Sequence, residues 1–505
     1  MAMSIRAKVF KGMSKLLSAN AAVTIMQFIF YLTIVRIIGF NGLGSYFDSV
    51  IILTFISLAA TWESNGFSRF IIGYYQGGKE KEARYLYRLG IIIGLTSGFV
   101  IFIVMFLYSY QISSLLYRSP VYSNIVKILG IDIALSSYNS YAGIGPNALM
   151  KFGKMGIIQI LWALGRYLTG MLLLFMGYGA FGLVVGWVIG DAINSIFYTM
   201  WSRELIFGKD TRSKLKPIIS YAIPLVLGSL IVTLLSNVDK LFVLYKLGLA
   251  ELGIYSTIML ASSVPQMLPN SIAASLSPAL LGLEEKNGLN KEIVEKSIRY
   301  TTILSIPFLL LVGAMGKPLI LLLLGQRFVH DWKAFTILTV GHALMSYDIP
   351  ITIALSAKKD SKALALQSVI GAIIIGFLAP YLINLYFATG AAIAYVLSRF
   401  ISFIAVALPR VRKHGLLKIN LNEYLKVSIS SLILLFGLLF VEYLTGFNVI
   451  YLPLYITLGI LIIIFNFKFF KMLDKEDYTA LNEVLPNNLK FFFEIIWSFL
   501  DLPKE

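Results

Sequence analysis

The chain has 505 residues, 58% hydrophobic and only 14% charged, an apolar share well above that of a soluble domain. Its net charge of +17 comes from basic residues in short loops between apolar runs rather than on one soluble face, so membrane topology explains it better than nucleic acid. With no cysteine, disulfides, thiol catalysis and thiolate metal sites are excluded.

Apolar runs long enough to cross a bilayer recur along the chain and predict an all-α, polytopic membrane protein. Fourteen spans are expected, at 15–38, 46–70, 89–111, 122–149, 155–177, 180–201, 217–245, 252–282, 300–324, 333–356, 363–385, 389–409, 426–445 and 449–467. The first follows Arg6, Lys8, Lys11 and Lys15, as a signal peptide would. It carries Asn20 and Gln27 and lacks a small-residue cleavage site, so it is expected to stay as a span. With a cytoplasmic N-terminus, most of the 43 Lys and Arg residues fall on the inward side. Outward lie Arg36, Arg118, Lys127, Lys246, Arg327 and Lys333; Arg166, Lys240, Lys317 and Arg399 are embedded. That asymmetry predicts both termini in the cytoplasm.

The stretch from Pro217 to Asn270 repeats the N-terminal region at an offset of 209. Ser229, Thr233, Ser236 and Lys240 fall at steps of four, three and four, one polar stripe on a helix that Asn237 widens. They match Asn20, Thr24, Gln27 and Tyr31; Ser263, Gln266, Asn270 and Ser277 match Thr54, Ser57, Thr61 and Ser68. The turn Leu247 to Tyr255 matches Ile38 to Tyr46. At an offset of 208, Gln159 meets Gln367, and the ladder Gly182-x3-Gly186-x3-Gly190 meets Gly390-x3-Ala394-x3-Ser398. Such small residues let helices approach closely. An internal duplication follows, two parallel six-span repeats. The expected organisation is a first lobe at 1–210, a second at 211–415, an added helix pair at 416–470 and a cytoplasmic tail at 471–505. In the tail, Leu489, Phe492, Phe493, Ile496 and Leu500 form the stripe of an interfacial helix.

Catalytic signatures are missing. Gly313-Ala314-Met315-Gly316-Lys317-Pro318 lacks the spacing and the Ser/Thr of a phosphate loop. His330, His342 and His414 show no metal-ligand spacing, and His342 inside an apolar span reads as a packed or hydrogen-bonded residue. No nucleophile stands beside a positioned base, so neither an enzyme nor a cofactor is expected.

Intramembrane polarity is what remains. An ionisable group at mid-bilayer costs roughly 2.5–3.5 kcal/mol, so it faces a cavity or a partner. Candidates are Glu63, Asp132, Arg166, Asp191, Asp239, Lys240, Asp348 and Arg399. Asp132, Ser136 and Asn139 share a helix face, as do Gln159, Trp162 and Arg166, and Asp191, Asn194 and Tyr198. Asp191 and Arg399, equivalent in the repeat, read either as a buried pair or as gating or substrate residues. Lys240 lies on the polar stripe and its neighbour Asp239 about 100° away. Arg36 and Arg69 read as headgroup contacts near span ends. Polar faces on the first two helices of each half are too continuous for lipid contact and predict a transport pathway around one vestibule.

The turns at 37–46 and 246–255, the two parallel six-helix repeats and the added helix pair resemble the Wzx-type polysaccharide flippases of the multidrug/oligosaccharidyl-lipid/polysaccharide (MOP) exporter superfamily. The resemblance implies MATE-like lobes and alternating access. It implies flipping of a polyprenyl-phosphate-linked oligosaccharide to the outer leaflet of the cell membrane, for surface polysaccharide or glycoprotein assembly. The substrate site it implies is Asn20, Thr24, Gln27, Arg166, Asp191, Ser236, Asn237, Lys240, Gln266 and Arg399, whose cations would offset phosphate. A proton or sodium gradient, the membrane potential or downstream consumption would drive it, with Asp239 and Asp348 as ion-coupling candidates. The expected protein is a monomer in contact with membrane lipids, with glycan polymerase or transferase partners and no nucleic acid. Lipid II flippases carry arginines in their first two helices, where this chain has Asn20 and Gln27, which argues against lipid II as cargo. A cation-coupled multidrug exporter of the MATE type is the alternative, and a membrane scaffold is a third possibility.

Overall fold

The computed structural model of the chain describes residues 5–270, 291–358, 360–416, 421–473 and 497–498, and every regular element among them is helical. The five residues of the expected tail stripe, Leu489, Phe492, Phe493, Ile496 and Leu500, lie outside the described residues, as does Ser277. The chain divides into two compact units, Met1–Ser256 and Thr257–Glu505.

Unit 1 opens with α1 (Ile5–Ile37), α2 (Phe40–Ala60), α3 (Ser64–Gln76), α4 (Glu80–Leu107), α5 (Ser109–Leu116), α6 (Ser123–Ala142) and α7 (Ile144–Ala148). It continues with α8 (Phe152–Ala163), α9 (Thr169–Phe175), α10 (Gly179–Trp201), α11 (Arg203–Ile206), α12 (Lys216–Leu235), α13 (Val238–Leu247) and α14 (Leu249–Ser263), the last of which contains the division. Its interior is aromatic: Phe30, Tyr46, Tyr87, Tyr141 and Trp187 are fully buried. Burying such rings removes large areas from water or lipid and fixes neighbours through edge-to-face contacts, as between Tyr46 and Trp187 at 5.2 Å.

Unit 2 contains α15 (Lys291–Ala314), α16 (Gly316–Leu323), α17 (Trp332–Leu344), α18 (Asp348–Ala357), α19 (Ser361–Ser402), α20 (Leu408–Lys413), α21 (Leu421–Leu444) and α22 (Leu452–Phe470). Leu309, Ala314, Leu434, Leu438 and Tyr455 form one core, joining α15 to the C-terminal pair α21 and α22.

Among the described residues, ten helices are long and apolar enough to cross a membrane. They account for most of the expected spans. Those at 363–385 and 389–409 run together in one helical assignment, separated at Phe387, whose φ of 50° and ψ of −132° break the path. The 122–149 segment is divided between α6 and α7. The 217–245 segment is broken at Ser236 and Asn237. The 252–282 segment runs past the described residues. Interruptions of this kind free backbone groups that only protein neighbours can satisfy inside a bilayer.

Candidate functional site

The site in unit 1 begins with the glycine ladder of α10. A Cβ on Gly186 would collide with the Arg166 carbonyl oxygen, and one on Gly190 would sit 2.9 Å from the Arg166 Cβ and 3.1 Å from the Trp162 oxygen. The expected close approach is therefore present, and its partner is the segment bearing Trp162 and Arg166. That segment leaves the α-helix for a π turn over Leu164–Leu168, a local widening common at functional sites. The Arg166 guanidinium lies 4.6 Å from the centre of the Trp187 ring and 5.1 Å from that of Trp162.

Carboxylates surround this stacked cation without closing on it. The Trp162 indole N–H donates to Asp191 Oδ1 at 2.8 Å. Asn139 Nδ2 donates to the Asp191 carbonyl at 2.9 Å, and Ser195 Oγ reaches the same carbonyl at 2.8 Å. Asp132 is completely buried, and neither of its carboxyl oxygens has a hydrogen-bond partner. Asp132, Asp191 and Tyr46 all act electrostatically on Arg166, yet no ion pair within 4 Å joins it to any of them. The three helix faces anticipated for Asp132, Arg166 and Asp191 thus converge. Trp187 and Tyr46 complete the site and escaped sequence reasoning, although Trp187 directly follows the ladder glycine Gly186.

The second polar group in unit 1 corrects the expected stripe. Ser229, Thr233, Ser236 and Lys240 do not share one continuous helix, because α12 ends at Leu235 and α13 begins at Val238. One polar side chain repairs the break: Asn237 N–H turns to the Leu234 oxygen, and Asn237 Nδ2 donates instead to the Thr233 oxygen at 2.9 Å, while Ser236 Oγ adds a second bond at 2.8 Å to the Val232 oxygen that the Ser236 N–H already reaches. Lys240 Nζ donates to Asn237 Oδ1 at 3.1 Å and is half-buried. Asp239 points elsewhere, fully buried, with the Tyr255 hydroxyl donating to its Oδ2 at 2.7 Å. Asn20, Thr24 and Gln27 lie along the unbroken α1, where the Thr24 hydroxyl donates to the Asn20 oxygen at 2.9 Å. Asn20 and Thr24 are exposed and Gln27 half-buried. Arg69 stacks 4.4 Å over Tyr221, so a protein ring supplies a contact in addition to any headgroup.

Unit 2 assembles Gln266, Asp348 and Arg399 around a residue set aside at the sequence level. His342 Nδ1 lies 2.6 Å from Gln266 Nε2, and His342 Nε2 lies 3.4 Å from Ser262 Oγ. Because Ser262 Oγ donates to the Met259 oxygen at 2.9 Å, the consistent pattern is a neutral imidazole donating from Nε2 and accepting at Nδ1. Gln367 Nε2 donates to both Asp348 oxygens at 3.1 Å, and Thr352 Oγ1 to Oδ1 at 3.3 Å. Arg399 acts electrostatically on both His342 and Asp348. The hydrogen-bonded role expected for His342 holds; its company was not foreseen. Among the described residues, no group of His, Cys, Asp and Glu has the makings of a metal centre.

Buried charge held inside apolar helical units defines a multi-pass membrane protein with a transporter fold. The structure is similar to the lipid II flippase MurJ in an inward closed conformation, at TM-score 0.66 and 17% identity, over 90% of this chain and 98% of that one. It is also similar to an inward-facing multidrug resistance MATE family transporter of the MOP superfamily, at TM-score 0.62 and 16% identity, over 78% and 95%. A MOP superfamily transporter from Pyrococcus furiosus, described as having a binding pocket of reverse polarity, matches at TM-score 0.53 and 15% identity, over 82% and 96%. No curated protein matches the chain in sequence. Residues 33–332 match the polysaccharide biosynthesis protein family, and the chain belongs to that family. The polysaccharide family read from the repeated turns stands on the family match, and the likeness to transporters of the MOP superfamily stands at the level of the fold.

Proposed function

We propose that the chain flips a polyprenyl-phosphate-linked oligosaccharide from the cytoplasmic to the outer leaflet of the cell membrane by alternating access, with both termini cytoplasmic. The observation that carries this reading is that Arg166, Lys240 and Arg399 lie within spans and, among the described residues, none has an ion-pair partner within 4 Å. Their nearest carboxylates stay beyond ion-pair distance, which leaves charge to offer in a membrane interior and suits a cargo that brings negative charge. Lys240 is half-buried and Arg399 exposed, so both are placed to meet a phosphate, while Arg166 lies under its two indole rings. Asn20, Thr24, Gln27, Ser236, Asn237 and Gln266 offer hydrogen bonds for a glycan. Asp239 and Asp348 are buried with neutral hydrogen-bond donors, Tyr255 and Gln367, and are the carboxylates we assign to a driving proton or sodium ion.

The test is flipping of a fluorescent polyprenyl-diphosphate sugar in proteoliposomes. Lys240→Ala and Arg399→Ala should each slow it at least about tenfold, the loss of one charge-assisted contact. Unchanged rates in both remove the assigned site. One observation favours a cation-coupled multidrug exporter instead: the fully buried, unbonded carboxyl of Asp132 would welcome an organic cation. Ethidium efflux without lipid movement would select that alternative.

A further inference from the structure

A groove of about 730 Å³ runs along unit 1 between α4 and α10, with α6 as its floor. Its depth comes from close helix contact: a Cβ on Gly98 would lie 2.9 Å from the Ala134 Cα, so α4 and α6 meet backbone to backbone there. Leu95 and Phe99 form one wall, Ile196 and Met200 the other, and Leu135 the floor. Leu95, Phe99 and Ile196 are 52%, 59% and 58% exposed, which in a membrane means open to lipid.

The polar groups within the groove are spoken for, with one exception. Tyr138 shares a hydrogen bond with Thr199, Thr199 Oγ1 donates to the Ser195 oxygen at 2.6 Å, and Ser195 is bonded to Asn139 and the Asp191 carbonyl. The exception is Arg203, at one end. Its acidic neighbour Glu204 is held by Lys151 at 2.7 Å, and among the described residues Arg203 makes no ion pair. From Ser195 to Arg203 the helical rise is about 12 Å, close to half of a hydrocarbon core of about 30 Å. An occupant must therefore be apolar through one leaflet and carry a single negative group at its end.

We propose that this groove binds an anionic phospholipid of the leaflet nearest Arg203, one acyl chain lying along α6 and the headgroup phosphate on the Arg203 guanidinium. A planar guanidinium matches two phosphate oxygens, and a headgroup with no compensating ammonium gains most from it. The groove's lining includes neither Lys240 nor Arg399, and the proposal does not depend on what the chain transports.

Native mass spectrometry of the full chain, titrated with phosphatidylglycerol or phosphatidylethanolamine, tests the assignment. One phosphatidylglycerol should be retained, about fivefold more weakly in Arg203→Gln, with phosphatidylethanolamine indifferent to that change. Leu95→Trp and Ile196→Trp fill the groove from exposed positions that folding tolerates, and should abolish retention while thermal unfolding stays unchanged. Phosphatidylglycerol retained equally by all variants overturns the proposal. So does a polyprenyl phosphate that binds with the same dependence on Arg203 while phosphatidylglycerol does not, because the groove would then belong to a prenyl carrier.

Discussion

Gly44 and Gly253, equivalent residues of the two repeated turns, meet backbone to backbone. A Cβ on Gly253 would sit 2.6 Å from the Gly44 nitrogen and from the Phe40 oxygen, and one on Gly44 would collide with the Leu249 oxygen. Phe40 and Leu249 are themselves equivalent at the same offset of 209, so the contact is reciprocal, as a local two-fold axis requires. Arg118 reinforces it by donating to the Tyr245 oxygen at 2.5 Å with its guanidinium 5.4 Å from the Tyr245 ring.

Side chains at these two glycines should therefore wedge the turns apart. Gly44→Ala and Gly253→Ala are each expected to lower stability by about 1–3 kcal/mol, the cost of overpacking a close contact. Gly73→Ala is the control, since nothing lies within 4 Å of its Cβ position, and it should be neutral or slightly stabilising. Thermal unfolding of the detergent-solubilised chain decides it: three indistinguishable variants would mean that the turns are not pressed together.

Arg166 is the cation acting on two carboxylates, the buried Asp132 and the half-buried Asp191. Arg166→Ala should destabilise by about 2–3 kcal/mol, because the buried Asp132 and the half-buried Asp191 lose the cation that opposes them. Arg166→Lys keeps the charge but gives up planar stacking on Trp162 and Trp187, a smaller loss of about 1–2 kcal/mol. Adding Asp132→Asn to Arg166→Ala should recover part of the loss in a double-mutant cycle. Strict additivity would show that the two side chains do not sense each other.

Most spans and the separate faces of Asp132, Arg166 and Asp191 were legible because each follows from spacing: apolar runs, and steps of three and four along a helix; that the three faces meet is visible only in the structure. The break at Ser236 and Asn237 was not. Serine and asparagine bonded back to their own helix carbonyls have the same sequence pattern as serine and asparagine lining a cavity, and only the backbone distinguishes them. The partners of His342 were not legible for a related reason. Gln266 is 76 positions away in the chain, and no local periodicity reports a contact of that range.

His342 bonds to neutral groups on both ring nitrogens, so removing it strands two of them. His342→Phe keeps an aromatic ring beside Tyr395 but leaves Gln266 and Ser262 without their partner, at an expected cost of about 1–3 kcal/mol. His342→Gln, which offers one donor and one acceptor, should lose less. Equal unfolding temperatures for the two variants would assign the cost to ring volume rather than hydrogen bonding. Flipping measured on the same samples then reports whether the position of Gln266 matters to transport.

Asp360 ties the loop before α19 to the end of α20, and its carboxylate carries the pH dependence of that tie. Its Oδ2 accepts from His414 Nε2 at 3.0 Å, with Arg410 Nη1 at 3.7 Å, while Oδ1 accepts from the Ala363 backbone N–H at 3.1 Å. The His414 hydrogen bond, helped by the Ala363 N–H and Arg410, holds this carboxyl below the usual aspartate value of about 3.9. A group depressed in the folded state stabilises above its unfolded value and loses that contribution as pH falls through the folded one. Asp360→Asn keeps the cap on Ala363 but not the charge. The wild type should therefore unfold at a higher temperature than the variant near neutral pH, and the gap should close below about pH 4. A gap that persists unchanged down to pH 3 would show that the charge of Asp360 contributes nothing, leaving shape and the cap to explain its place.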